Sequence, residues 1–336
     1  MTLRRLVLGI ISVIVVCVGA FAVPAQAKEI DKDLHESFTV KPGDRLLLLH
    51  GDGDVTVTSW DQDVLDVAVR YRVSYTRVGF GGKPDFEVEF QQNDDTVRII
   101  GKEKGAITVG FITQKQYEYS YTIRAPSYLE LDLKGDDGDV SIQGWDGPIS
   151  CDSEDGDITL EGIRSPATEI ALEDGDLQAE GLAGQVSIAG EDGDVTLVNC
   201  QPERCRIELE DGDITVRDCE GSFALWCEDG DIEMRHTRVH VIEVETADGD
   251  VELDLLGVPD LDAEISSDNG NISIELERGF SIMFSIEVED GTLRLDLPDA
   301  EILQQDDEGA SGAMHGGRGR LNIRTADGRV ALREKG

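Results

Sequence analysis

From residue 129 onward, apolar and polar positions alternate in short runs that restart at a fixed interval. The runs are registered on a glycine that sits in an acidic corner: Asp137-Gly138-Asp139, Asp155-Gly156-Asp157, Asp174-Gly175-Asp176, Asp192-Gly193-Asp194, Asp211-Gly212-Asp213, Asp229-Gly230-Asp231 and Asp248-Gly249-Asp250. From Gly138 to Gly291 these glycines are 18, 19, 18, 19, 18, 19, 21 and 21 residues apart. Five residues before each lies an apolar side chain: Leu133, Cys151, Ile170, Ile188, Ile207, Leu225, Val244, Ile265 and Ile286. Two after each lie Val140, Ile158, Leu177, Val195, Ile214, Ile232, Val251, Ile272 and Leu293, and four after each lies a third such column. Period-two alternation predicts two short strands per repeat, joined at the Asp-Gly corner, where glycine accepts positive φ. A short, constant period is the mark of a stacked repeat. An antiparallel meander with hairpins at Asp-Gly is the rival arrangement. The recurrence of one side-chain type at equivalent positions favours the solenoid, in which each repeat is one coil. At about 4.8 Å per coil, nine coils make a rod on the order of 43 Å long.

Outside this array the pattern changes. Residues 28–128 hold one clear copy of the corner, at Gly53, and a decayed one at Asp94-Asp95-Thr96-Val97. Between and after them run longer alternating stretches with aromatics, such as Val69 to Tyr75, Phe86 to Phe90 and Tyr117 to Tyr121. These predict an antiparallel hairpin sheet capping the rod, with Phe80 to Pro84 as a loop tip. Degenerate corners close the array at Asn269-Gly270-Asn271, Asp290-Gly291-Thr292 and Asp327-Gly328-Arg329. Residues 300–320, rich in Asp, Gly and Ser, read as a mobile loop, and residues 321–336 as a C-terminal capping coil. The division is therefore 28–128, an N-terminal β region with a hairpin insertion; 129–299, the solenoid; then loop and cap. Residues 1–27 precede it. Arg4 and Arg5, the apolar run from Leu6 to Ala22, and Ala25-Gln26-Ala27 have the layout of a secretory signal peptide, which makes Lys28 the first mature residue. An uncleaved anchor is the alternative. No other segment is apolar enough to span a bilayer, so no membrane insertion is expected after cleavage.

Charge narrows the partners. The 336 residues carry 70 Asp or Glu against 30 Lys or Arg, a formal charge of −40. That argues strongly against nucleic acid and anionic membrane as partners and leaves cations, basic proteins or no particular partner. It also fits a protein adapted to high salt.

The segment Tyr121-Thr122-Ile123-Arg124-Ala125-Pro126, followed by Leu129-Glu130-Leu131-Asp132-Leu133 and then the Gly-Asp-Val/Ile ladder, resembles the bacterial putative-adhesin domain family. The resemblance covers most of the mature chain. It implies an exported all-β protein with a single-chain β-solenoid and an N-terminal antiparallel strand cap. It carries over no catalytic residue. This chain is more acidic at the corner than the family pattern.

The acidic corner is the one candidate site. Stacking would align Asp155, Asp157, Asp174, Asp176, Asp192, Asp194, Asp211, Asp213, Asp229 and Asp231 on one edge, with a glutamate beside each corner. Two charges about 4.8 Å apart repel by roughly 0.9 kcal/mol even in water, so such a strip either binds cations or is simply solvated. Calcium, which accepts several carboxylate oxygens, is the cofactor this edge would take, although the Gly-rich spacing of calcium-binding solenoid repeats is absent. The bland alternative is a soluble face that discourages edge pairing. Of the cysteines, Cys200 and Cys219 both lie seven residues after their glycine, so adjacent coils would bring them within disulfide reach, with Cys200–Cys205 as the rival pair. Cys151 and Cys227 read as buried apolar side chains. The five histidines are scattered, and no nucleophile-elbow, zincin or phosphate-loop motif is present. Three function classes follow: a non-enzymatic envelope or surface protein used for adhesion, scaffolding or interaction; a cation-binding or salt-adapted structural protein; and, weakest, a carbohydrate-active β-helix enzyme. The protein or glycan partner and the oligomeric state are not encoded in these patterns.

Overall fold

Alternation in sequence becomes stacking in space because each inward column buries against the same column of the next coil. The computed structural model describes residues 26–81, 85–104, 108–257, 260–306 and 308–335. Of the signal peptide expected at residues 1–27, residues 1–25 lie outside the described residues, as do residues 82–84 of the expected loop tip. Every secondary-structure element among them is a β-strand, and no helix is long and apolar enough to cross a membrane.

Successive strands pair in parallel. The column five residues before the glycine runs Leu133, Cys151, Ile170, Ile188, Ile207, Leu225, Val244 and Ile265 in unbroken register. The column two residues after it runs Val55, Val140, Ile158, Leu177, Val195, Ile214, Ile232, Val251 and Ile272. Both columns are buried throughout. The fold is an all-β solenoid, and the parallel ladders exclude the meander. The corner glycines stack as well. Gly193 has φ +131°, and a Cβ there would lie 2.1 Å from the carbonyl oxygen of Gly175. Only glycine meets both demands.

Six successive coils have a second corner, six residues after the first. There Gly144, Gly162, Gly181, Asn199, Asp218 and His236 take φ between 52° and 68°. Glycine gives way to Asn, Asp and His along this column, the non-glycine residues that enter the left-handed region most readily. This variety hid the corner from a reading based on repeated glycines.

The ends are built out of sequence order. At the N-terminal end, Arg45–Gly51 pairs with Glu130–Gly135 on one side and Thr96–Lys104 on the other. Asp54–Trp60 likewise lies between Val140–Gln143 and Thr108–Pro126. The outermost level is therefore made by Thr96–Lys104 and Thr108–Pro126, which continue into antiparallel partners: Asp85–Asn93 on the first, and Val64–Gly81 followed by Gln26–Thr39 on the second. This is the expected antiparallel cap. Its aromatics plug the end of the rod: Tyr71 stacks on Phe86 with ring centroids 4.2 Å apart. Tyr119 packs edge-on against both, and its hydroxyl lies 2.6 Å from that of Tyr121.

The C-terminal end departs from the expectation. The last strand, Gly319–Glu334, pairs with Asp262–Asn269 and Ile272–Leu276 on one side and with Ile282–Asp296 on the other. Residues 321–336 are thus an internal coil, not the cap, and the glycine ladder runs Gly249, Gly270, Gly328, Gly291. Residues 300–320 are not a loop throughout: Ala300–Gln305 and Gly309–Met314 form an antiparallel hairpin laid on Ile282–Glu287. The small residues Gly309, Ala310, Gly312 and Ala313, which read as loop, are what lets this hairpin pack closely: a Cβ on Gly312 would meet the Phe284 ring at 2.6 Å.

Candidate functional site

The two aspartates of each corner separate into different roles. Those preceding the glycine, Asp155, Asp174, Asp192, Asp211 and Asp229, stand directly above one another in the parallel register and are exposed to solvent. Those following it point along the rod. The Asp157 N–H donates to Asp139 Oδ1 at 3.1 Å, Asp176 N–H to Asp157 at 3.0 Å, and Asp194 N–H to Asp176 at 2.9 Å. Asp213 N–H donates to Asp194 and Asp231 N–H to Asp213, each at 2.9 Å. The chain of bonds starts at Asp54 and ends at Asn271, whose Oδ1 accepts the Arg329 N–H at 3.2 Å. At the corner the backbone N–H is directed at the equivalent residue of the previous coil, whose carboxylate supplies the acceptor. These carboxylates are part of the fold. Among the described residues, no group of three or more His, Cys, Asp or Glu side chains is gathered as a metal-holding cluster.

Cys200 and Cys219 lie in adjacent coils, as stacking requires, but the disulfide expected between them is not formed. All five described cysteines are free and buried. The Cys200 N–H donates to Cys219 Sγ at 3.2 Å, and the Cys219 thiol donates to the Arg217 carbonyl at 3.1 Å. In a parallel stack both Cβ atoms point the same way into the core, and each sulfur satisfies backbone groups of the second corner instead. The hydrogen bond with Cys200, with burial, pushes the Cys219 thiol up. Burial likewise pushes the Cys151 thiol up to about 12 and that of Cys227, which also faces the corner aspartates, to about 12.

The histidines take structural places. His50 is fully buried under Gly135, and its Nδ1 lies 2.8 Å from the Gly53 carbonyl. Burial holds its pKa below the usual value. His236 occupies the second corner, and His35 lies 2.7 Å from the Asp66 carboxylate.

One feature escaped the sequence reading. Trp226 stands four residues before its glycine, an outward position, and is 36% exposed. In the ladder it is opposite Glu208 and Glu245. With Arg206 and Glu243 these side chains line a shallow concavity of 340 Å³. A second concavity of 400 Å³, floored by Ala171, Ala189 and Gly190, adjoins it at Trp226. The alternation alone predicts an outward tryptophan here, and that signal was available.

The family model Toastrack DUF4097 matches residues 45–333. The chain belongs to this family. Solved structures similar to it include a putative adhesin from Parabacteroides merdae, 11% identical over 90% of this chain and 96% of that one, with a TM-score of 0.40. A putative adhesin from Bacteroides fragilis is 12% identical over 90% and 97%, with a TM-score of 0.36. A putative lipid binding protein from Parabacteroides distasonis is 13% identical over 89% and 96%, with a TM-score of 0.31. No curated protein matches the chain. The Toastrack match to most of the chain agrees with the stacked strands described above.

Proposed function

We propose that this Toastrack protein is a non-enzymatic, exported envelope or surface protein that acts by binding another macromolecule, in adhesion or as a scaffold. The observation that carries this reading is the disposition of the polar groups. The corner carboxylates either complete the backbone ladder or face solvent in uniform columns. The thiols are buried, and among the described residues no serine, threonine or cysteine side chain hydrogen-bonds to a histidine ring. What remains for contact is a long, regular surface with one exposed tryptophan in a concavity, which suits a protein or glycan partner. The signal-peptide layout of residues 1–27 and the names of the adhesin neighbours support export. The solvent-facing aspartates, Asp155 to Asp229, are the part of the edge left for cations, and we assign them diffuse rather than site-specific binding.

The test is N-terminal sequencing of the protein from fractionated cells, combined with binding of the purified protein to isolated cell envelopes. The reading predicts a chain that starts at Lys28, in the envelope or outside the cell, and saturable envelope binding weakened severalfold by Trp226→Ala. An intact N-terminus in the cytosol, or turnover of a polysaccharide by the purified protein, would overturn it.

A further inference from the structure

The face that carries Trp226 is a trough along the rod. Its outward column runs Asp152, Ala171, Ala189, Glu208, Trp226 and Glu245 in unbroken parallel register. Ala171 and Ala189 rise only one carbon above the sheet, and the larger side chains around them form walls. Trp226 lines both concavities on this face, of 340 and 400 Å³, and joins them. Six coils make the trough about 24 Å long. Among the described residues, neither a second ring nor a cation packs on the Trp226 indole. A bare outward indole in a trough is a stacking platform.

The chemistry of the walls selects the occupant. The two concavities are lined by seven carboxylates and one base, Arg206. Arg206 pairs with Glu208, and Asp152 with Lys134. Glu173, Glu191, Glu210, Glu243 and Glu245 have no ion pair or side-chain hydrogen bond among the described residues. An ionised carboxylate only accepts hydrogen bonds. Such walls take a ligand that carries positive charge and has more donors than acceptors. A peptide brings one carbonyl for nearly every N–H, and this trough offers those carbonyls little besides the Arg206 and indole N–H groups. A chain of amino sugars brings hydroxyl and ammonium donors on every ring. Each ring also has a flat C–H face for the indole, and the ammonium is drawn to the same ring face.

We propose that this trough binds a linear glycan whose hexosamines carry free amino groups. One ring stacks on Trp226. Rings further along lie over Ala189 and Ala171, with hydroxyl and ammonium groups donating to Glu173, Glu191 and Glu210. This assignment rests on the reading that the protein acts by binding another macromolecule, and names that macromolecule's class.

The test is isothermal titration calorimetry of the purified protein with the hexamer of β-1,4-linked glucosamine. It is run at about pH 6, where the carboxylates are ionised and much of the sugar amine is protonated, and in about 0.15 M NaCl to screen distant charges. The expected result is saturable binding, at least tenfold tighter than that of the N-acetylated hexamer and of hexalysine. Trp226→Ala and Ala189→Lys should each weaken it at least tenfold. Both positions are exposed, so both variants should keep the thermal melt of the parent, and either alone carries the test. Failure of the glucosamine hexamer to bind would overturn the proposal. So would binding untouched by both substitutions, which is diffuse attraction to the acidic shaft. Equal binding of hexalysine would make the occupant a basic peptide, and equal binding of the N-acetylated hexamer a neutral glycan; either overturns it. Binding of isolated envelopes separates this assignment from the broader reading. If envelopes bind and the hexamer does not, only the amino-sugar assignment falls. If the hexamer binds and envelopes do not, only the envelope reading falls.

Discussion

At the scale of single residues, the acidic corner is two structures that share one motif. The aspartate after the glycine accepts the next coil's backbone N–H, while the aspartate before it has only its neighbours' charges for company. Substitutions should separate them. Asp194→Ala removes the acceptor for Asp213 N–H and should lower stability by about 1 kcal/mol. Asp194→Asn keeps an acceptor oxygen and should be near neutral, since Asn271 already does this work for Arg329. Asp192→Asn removes only charge and should raise the melting temperature. Thermal melts of the three variants check the order; equal effects at 192 and 194 would refute the separation of roles. His50 gives a second test. Its imidazole is held below the usual 6.5 by burial, so the unfolded chain takes up its proton first as pH falls. Stability tied to this group is therefore complete above about pH 6.5 and declines below it. Melts between pH 5 and 8 should show a steeper acid-side loss for the parent than for His50→Gln, and parallel curves would count against a buried neutral imidazole.

At the scale of elements, the central coils were legible in the sequence because one physical requirement repeats: an apolar side chain at each inward position and glycine where coil touches coil. Gly193→Ala violates the backbone geometry and the close approach to Gly175 together, and a loss of about 1–3 kcal/mol is expected in denaturant titration. The end coils were not legible, because local pattern identifies a coil without stating its neighbour. Gly328 and Gly291 head equally degenerate repeats, and nothing in either run says that Gly319–Glu334 slots between Asp262–Leu276 and Ile282–Asp296. The hairpin at 300–314 was hidden for a related reason: its small residues serve close packing, and the same composition marks loops. The internal position of the last strand makes a sharp prediction. Deleting residues 319–336 should strip hydrogen-exchange protection from both Ile272–Leu276 and Ile282–Asp296, since both lose a ladder partner. Loss confined to one of them would mean the strand is a terminal cap after all.

At the scale of the whole molecule, the protein is a strongly acidic shaft between two nearly neutral ends. The N-terminal 128 residues net only −2, and the C-terminal 59 net −3. The shaft is held by apolar columns, stacked glycines and the aspartate–backbone ladder, against the repulsion of its own exposed carboxylates. The candidate site was thus legible as a place and not as a role. The repeat showed that the aspartates align, whereas the direction each side chain takes at a bent corner depends on backbone geometry that spacing does not encode. Because each carboxylate of the ladder already accepts a backbone N–H, the ladder should hold without a bound metal. A thermal melt of the protein in calcium and in chelator, at matched ionic strength, tests it most directly. Equal melting temperatures are expected in the two, with a rise in both as sodium chloride screens the shaft. A rise of many degrees that calcium produces and sodium does not would contradict it, and would make the Asp-Gly corners metal sites.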